Sequence, residues 1–100
     1  MSEIYLPFKE EFKGEMLTGG KTCTSRTKKY GKPGDVFERW GAMFKIVEIK
    51  KMALQDVADK LYRKEGFFSP VDFIACWEEL HPRVGWVPDQ IVYVHFFQKS

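Results

Sequence analysis

Two consecutive helix patterns, followed by one apolar strand at the C-terminal end, constrain the fold of this chain most strongly. From Ala53 to Lys64, apolar residues recur at helical spacing and form one stripe, while charged residues occupy the other face. A second helix pattern begins at Pro70, with Ser69 as its N-cap, and continues to Leu80. The segment Ile91–Phe97 is rich in apolar and β-branched residues, which is typical of a central strand. This last strand must therefore return to a sheet that earlier strands have begun.

The N-terminal half supplies one helix and three strands. The sequence predicts a short extended segment over Ile4–Phe8 and a helix from Pro7, in which large apolar residues recur every four positions. The glycine pair Gly19-Gly20 ends that helix, because adjacent glycines favour a turn. Strands are then predicted over Thr22–Thr27, Val36–Trp40 and Ala42–Ile49.

The third of these strands carries apolar residues on both faces. The two-residue repeat predicts Phe44, Ile46 and Glu48 on one face and Lys45, Val47 and Ile49 on the other. A strand of this kind is expected in a barrel wall that helices cover from outside. The element order therefore favours an α+β fold, a small mixed β-barrel with helices packed on the outside. A ferredoxin-like sandwich is the alternative.

The composition indicates the number of domains and the expected cellular compartment. One hundred residues, 44% of them hydrophobic, predict a single domain over residues 1–100. The N-terminus is too charged for a signal peptide and no apolar run reaches membrane-spanning length, so a cytoplasmic protein with reduced thiols is expected. Cys23, Cys76, His81 and His95 lack zinc-ligand spacing, and neither a metal nor a cofactor is expected.

Positive charge is concentrated in one part of the chain. The formal net charge is only +2, but no acidic residue occurs between Met16 and Gly34. The basic residues of this segment are Lys21, Arg26, Lys28, Lys29 and Lys32. Such a run suits a phosphate-bearing partner, whereas lysines on turns also serve solubility alone.

The stretch Gly19–Arg26 places several polar groups at a helix-to-strand corner. Lys21 lies at the corner, and Thr22, Thr24 and Arg26 share one face of the following strand by the two-residue repeat. An ammonium, hydroxyls and a guanidinium there suit one anionic or carbonyl-bearing ligand. The alternative is a solvated basic strand.

The residues of this corner also carry a family resemblance. Gly20-Lys21-Thr22-Cys23-Thr24-Ser25-Arg26 after a helix, and Lys32-Pro33-Gly34-Asp35 before a strand, resemble the ASCH domain of the PUA-like superfamily. Glu65-Gly66-Phe67, Ser69-Pro70 and the aromatic closing strand resemble it as well. The resemblance implies a β-barrel with a cleft lined by these residues, in a superfamily that mostly handles RNA or modified nucleosides.

One branch of that family implies a reaction. Small bacterial ASCH proteins hydrolyse the amide of N4-acetylcytidine, with a lysine as base, a threonine as nucleophile and a glutamate as acid. The corresponding residues here are Lys21, Thr24 and Glu65. Other members of the family bind or cleave RNA, so a ribonuclease is a further possibility.

This chemistry needs a neutral lysine. A threonine hydroxyl is a weak nucleophile until a base takes its proton, and a lysine is a base only when its pKa is lowered. Arg26, on the same corner, would supply the repulsion that lowers it. The alternative is that Lys21 and Glu65 form a plain salt bridge, with Thr24 a strand residue facing solvent.

Aromatic residues complete the set of candidates. Trp77 lies on a helix stripe and is expected in the core, whereas Trp86 and Tyr30 are candidates for stacking on a base. The predicted ligand-binding residues are therefore Lys21, Thr22, Thr24, Arg26, Lys28, Lys29, Tyr30 and Trp86. The expected partner is RNA or a nucleoside and not a membrane, with the protein a monomer or weak dimer; a protein-interaction adaptor with an aromatic surface is the alternative from another class.

Overall fold

The computed structural model describes residues 2–100. It contains one curled four-stranded sheet with helices packed against it. The strands are β1 (Cys23–Arg26), β2 (Val36–Arg39), β3 (Ala42–Ala53) and β4 (Ile91–Lys99). The helices are α1 (Lys13–Thr18), which follows a 3-10 turn over Glu10–Phe12, α2 (Leu54–Leu61) and α3 (Pro70–Leu80). The strand order is β1-β4-β3-β2, and all three neighbouring pairs are antiparallel. This half-barrel with its helices confirms the predicted α+β architecture rather than the ferredoxin-like alternative.

Strand β4 is central, as its apolar sequence predicts, and it divides the core in two. On one face, Val92 and Val94 pack with residues of α2 and α3, including Leu54 and Phe73. On the other face, Phe97 packs among residues from the N-terminal segment, α1, β2 and β3. Strand β1 lies at the edge of the sheet beside β4, and its Cys23 belongs to the half of the core that contains α2 and α3.

A β-bulge in β3 corrects the predicted alternation of that strand. Ile46 pairs with Phe97 and Glu48 pairs with Phe96, so Val47 is an extra residue without a partner of its own. The alternation is shifted beyond the bulge. Ile49, and not Glu48, therefore lies with Phe44 and Ile46 in the aromatic half of the core, while Val47 and Glu48 are exposed.

Several predicted boundaries also change. The helix expected from Pro7 begins only at the turn Glu10–Phe12, and Lys9 is still extended. Strand β3 continues to Ala53 because its last four residues pair with Ile91–Val94, a tertiary contact that overrides the local pattern. Helix α2 ends at Leu61, three residues before the predicted end, and hydrogen-bonded turns carry the chain on to Gly66.

The turn before β2 forms as predicted. The N–H of Asp35 donates to the carbonyl of Lys32 at 3.0 Å, and Gly34 has a φ of +97°, as expected at the third position of a type II turn. The buried carboxylate of Asp35 accepts hydrogen bonds from the N–H groups of Lys32 and Ser2, at 2.9 and 3.0 Å. The loop between β1 and β2 is thereby held against the N-terminal segment.

No helix within residues 2–100 combines the length and the apolar character that crossing a membrane requires.

Candidate functional site

A cleft runs along β1, at the edge of the sheet. Its volume is about 470 Å³, within the range typical of small-molecule sites. The N-terminal segment forms one wall, α3 forms the other, and the turn after α2 closes one side. The aromatic rings at the cleft belong to Phe8, Phe12, Tyr30, Phe67, Phe73 and Trp77, and polar side chains are contributed by Lys21, Thr24, Ser25, Arg26 and Glu65.

Lys21 is buried at this cleft, with only 2% of its surface exposed. Its Nζ donates to the carbonyls of Cys23 and Glu65, at 2.9 and 2.7 Å, and to Glu65 Oε1 at 3.2 Å. An ammonium has three protons to donate and no lone pair, so these three acceptors match its charged form. Nζ also lies 4.7 Å from the centroid of the Phe12 ring, a cation–π contact.

The backbone around Lys21 explains how a lysine becomes buried here. After α1, its N–H donates to the carbonyl of Glu15 at 2.9 Å, which holds the corner against the helix. On the opposite side, Gly66 approaches closely: a Cβ at Gly66 would lie 3.3 Å from Lys21 Cβ, and its φ is +98°. A glycine after Glu65 thus lets the turn pack against the lysine stem.

Glu65 is buried as well, and both of its carboxylate oxygens are engaged. Oε1 accepts from Lys21, and Oε2 accepts from Ser25 Oγ at 2.6 Å. The side chains of Lys21 and Glu65 are only 2% and 4% exposed. Their ion pair is therefore buried, and Glu65 also contacts strand β1 through Ser25.

Thr24 and Arg26 lie together on one face of β1, as the two-residue repeat predicts. Arg26 Nε donates to Thr24 Oγ1 at 3.3 Å, and its guanidinium carbon lies 4.9 Å from the Phe8 ring centroid and 5.7 Å from that of Tyr30. Burial lowers the pKa of Arg26 from its ordinary value. Thr24 is 5% exposed, which corrects the alternative that it faces solvent.

Tyr30 is held at the cleft by a buried histidine. The N–H of Tyr30 donates to His95 Nε2 at 2.9 Å, and Nδ1 of the same ring lies 3.0 Å from the Tyr93 carbonyl. These partners assign a neutral ring with its proton on Nδ1. Burial lowers the pKa of His95 from its ordinary value, and Arg26 and Lys29 act in the same direction.

Four of the predicted ligand-binding residues lie outside this cleft. Lys28 and Lys29 are exposed on the loop that follows β1. Thr22 is half-buried, and its main chain bonds to Phe97 and Lys64. Trp86 packs on the core, with its ring 6.1 Å from that of Phe73 in an edge-to-face arrangement.

Ser25 is the buried polar residue of the cleft that the sequence patterns do not indicate. The two-residue repeat places it on the face of β1 opposite Thr24 and Arg26, so it was not grouped with them. Because β1 is an edge strand, residues of both of its faces border the cleft. The position of Ser25 within the Lys21–Arg26 motif was the available signal. Trp77, predicted for the core, is buried there and is also part of the cleft wall, where its ring stacks on His81 at 4.0 Å.

Burial favours the neutral thiol form of both cysteines. Burial, and secondarily the charge of Glu65, raise the pKa of the Cys23 thiol far above its usual range. Burial also raises the pKa of the Cys76 thiol, which lies at the cleft. Both thiols are therefore protonated at neutral pH. Within residues 2–100, no three His, Cys, Asp or Glu side chains come together as metal ligands.

Solved structures share this fold, although no family model and no curated protein matches the sequence. An ASCH domain from Lactobacillus crispatus JV V101 is 15% identical with a TM-score of 0.62, over 98% of this chain and 78% of that one. A DUF984 protein from Enterococcus faecalis V583 is 16% identical with a TM-score of 0.67, over 99% and 78%. A Pyrococcus furiosus protein is 15% identical with a TM-score of 0.64, over 98% and 94%. The chain therefore has the ASCH-type fold that its motifs predict.

Proposed function

We propose that this chain binds RNA or a nucleoside, with one base seated in the cleft beside β1. The observation that carries the proposal is the composition of that cleft. Six aromatic side chains surround a short row of buried polar groups in a space of about 470 Å³. A planar heterocycle needs both kinds of contact, because its faces stack on rings and its edges form hydrogen bonds.

Charge at the rim supports the same proposal. Lys28 and Lys29 are exposed on the loop that leads from β1 to Tyr30, and Lys32 follows on the same loop. A base seated against Tyr30 would bring its phosphates toward these lysines. The cleft then supplies stacking and the loop supplies phosphate contacts, which is the usual division in the binding of single-stranded RNA.

Binding of a short single-stranded RNA across a salt series tests the proposal. Fluorescence anisotropy should show an affinity that falls as salt rises, because phosphate contacts release counterions. Replacing Lys28 and Lys29 together by Ala should reduce the slope of log K against log salt by about 2, roughly 1 for each lysine. Replacing Lys50 and Lys51 by Ala is the matched control, since these adjacent lysines are exposed in β3, outside the cleft, and the slope should stay unchanged.

A second variant tests the cleft itself. Tyr30→Leu should weaken binding at every salt concentration, since stacking of a base on an aromatic ring is worth about 1–3 kcal/mol. Phe68→Leu is its control, because Phe68 is 89% exposed and is not a cleft residue. Absence of binding to any RNA or nucleoside at low salt would exclude the proposed function.

Amide hydrolysis of an acylated nucleoside is the second candidate, favoured by one observation. Lys21, Thr24 and Glu65 border the same cleft, and the ammonium contacts the carboxylate. As an ammonium, Lys21 cannot accept the Thr24 proton. Transfer of one proton from Nζ to Glu65 Oε1 would give a neutral amine and a carboxylic acid, the base and the acid that the reaction needs.

Incubation with N4-acetylcytidine tests this candidate. An active enzyme releases cytidine and acetate, and Thr24→Val, which keeps the shape of the side chain and removes the hydroxyl, abolishes the release. If the parent protein binds nucleosides and releases no cytidine from this substrate, the amidohydrolase assignment to this substrate fails while the binding function remains.

A further inference from the structure

The hydrogen-bonding pattern of β1 determines which of its main-chain groups face away from the sheet. The N–H of Phe97 donates to the carbonyl of Thr22 at 2.9 Å, so these two residues form a hydrogen-bonded pair. In an antiparallel ladder such pairs alternate with pairs that are not hydrogen-bonded. By the observed register, Thr24 bonds to β4, whereas the N–H and C=O groups of Cys23 and Ser25 point away from β4 toward the free side of β1.

The two outward-facing residues differ in their partners. For Cys23, the N–H donates to the Lys64 carbonyl at 3.0 Å and the C=O accepts from Lys21 Nζ at 2.9 Å. For Ser25, neither main-chain group bonds to any residue in the range 2–100, although the residue is only 8% exposed and borders the cleft. Buried main-chain groups in folded proteins are nearly always paired. A donor and an acceptor on one residue are thus directed at the cleft.

We infer that the main-chain N–H and C=O of Ser25 are the polar anchor of the cleft and bind the edge of a planar ligand. The inference rests on the proposed function and names its recognition chemistry. The ligand carries a hydrogen-bond acceptor and a donor on one edge, as the amide and amidine edges of nucleobases do. The aromatic walls contact the faces of the ring while the strand edge contacts its rim.

A base fits this anchor better than an extended peptide does. Addition of a peptide strand needs a run of free main-chain groups along the edge. Strand β1 has only four residues, and the outward groups of Cys23 are already used by Lys64 and Lys21. One donor and one acceptor therefore remain at Ser25, enough for the edge of one ring.

Amide hydrogen exchange in the free protein tests the premise without any ligand. The Ser25 amide should exchange markedly faster than the Thr24 amide, which bonds within the sheet, and faster than the Cys23 amide, which bonds to Lys64. Equal protection of Ser25 and Thr24 would overturn the inference and leave the proposed function untouched.

Matched nucleosides then test the recognition itself by NMR of the ¹⁵N-labelled protein. Uridine is compared with 3-methyluridine, and adenosine with N6,N6-dimethyladenosine, because methylation removes the donor from that edge. The binding nucleoside of each pair should shift the Ser25 amide resonance and leave that of Cys23 in place, and its methylated counterpart should bind about tenfold more weakly.

The outcomes separate the two proposals. If nucleosides bind but methylation has no effect and the Ser25 amide does not shift, the Ser25 anchor is wrong and the binding function stands. If no nucleoside or RNA binds, both fail. If an extended peptide shifts Ser25 and nucleosides do not, the edge is a strand-addition site and the inference is overturned.

Discussion

Two aromatic clusters of the molecule differ in their surroundings. The closed cluster, defined here as Phe37, Phe44 and Phe97, is at most 3% exposed, and its ring centroids lie 5.3 to 5.7 Å apart. The cleft cluster, defined as Phe12, Phe67, Phe73 and Trp77, also has ring-to-ring contacts, at 5.7 to 6.4 Å. The first cluster fills space among apolar neighbours, whereas the second borders a cleft and buried charges.

The two clusters differ in what their rings contact. In the closed cluster each ring contacts the other two, and its stabilisation comes from burial and ring packing. In the cleft cluster, Phe12 lies under the Lys21 ammonium, while the surface between the walls is left open. Phe73 and Trp77 are at most 4% exposed, whereas Phe12 and Phe67 are half-buried, so the cleft cluster is only partly open to solvent.

Truncation of a ring in the closed cluster is one of the two changes expected to lower folding stability most. Phe37→Ala removes a fully buried ring that contacts Phe8, Phe44 and Phe97, and should lower the free energy of unfolding by about 3–5 kcal/mol. Denaturant unfolding monitored by circular dichroism measures the loss. Phe68→Ala, at a ring 89% exposed, is the control and should leave the midpoint unchanged. A loss below about 1 kcal/mol at Phe37 would mean that the closed cluster is not the stabilising core.

Removal of the buried Lys21 ammonium should also destabilise the fold strongly. Lys21→Met keeps most of the stem but leaves the Glu65 carboxylate buried without its partner, and should cost about 3–5 kcal/mol. Lys50→Met is the matched control, because the Lys50–Glu48 pair is more than half exposed and should be worth at most about 1 kcal/mol. Thermal melting compares the two variants.

A double variant separates the pair from the packing of the lysine stem. Lys21→Met combined with Glu65→Gln leaves no buried charge and should recover a large part of the lost stability. If Lys21→Met melts like the parent protein, Lys21 and Glu65 are not a structural pair. The two charges at the cleft would then serve the ligand alone.

The smallest effect on stability is expected from protonation of His95, the histidine that is hydrogen-bonded to the Tyr30 N–H. Because burial lowers the pKa of His95 in the folded protein, the unfolded chain binds its proton more readily. The stability that neutral His95 contributes is therefore present above about pH 6.5, the unfolded pKa, and is lost as the pH falls toward the lower pKa of the folded protein. Protonation would also remove the acceptor for the Tyr30 N–H.

Melting temperatures between pH 7.5 and pH 5 measure this contribution. The parent protein should lose stability across that interval by more than His95→Gln, whose amide oxygen can still accept a hydrogen bond and whose charge does not change. Parallel pH profiles for the two proteins would show that His95 does not titrate during unfolding in this range.

Patterns that depend on local sequence were predictable, and contacts across the fold were not. The central place of β4, the Lys32–Asp35 turn and the Ser69 N-cap of α3, whose side chain accepts from the Asp72 N–H, were all readable from residue type and spacing. The last four residues of β3 were not predicted, because two of them are the lysines Lys50 and Lys51 and the strand conformation depends on pairing with β4.

The candidate site shows the same limit. The corner with Lys21, Thr24 and Arg26 followed from residue type and spacing, and Glu65 from the family resemblance; the structure brings these four residues to one cleft. The burial of Lys21 did not follow, because it depends on three acceptors supplied by the backbone of β1 and by a turn 44 residues away. The position of Tyr30 at the cleft also depends on a hydrogen bond to His95, which is distant in sequence, and no local pattern predicts that contact.

The bulge at Val47 is the position at which strand β3 can lose one residue without a change of register. If Val47 were deleted, Ile46 would still pair with Phe97 and Glu48 with Phe96, and every other side chain of β3 would keep its face, because Val47 is the additional residue in the ladder. Deletion of Lys45 or Lys50 has the opposite consequence, since it moves the residues on one side of the gap to the wrong face of the sheet. Relatives that differ by one residue in this strand should therefore differ at position 47, and differ there in the local twist of the sheet rather than in their cores.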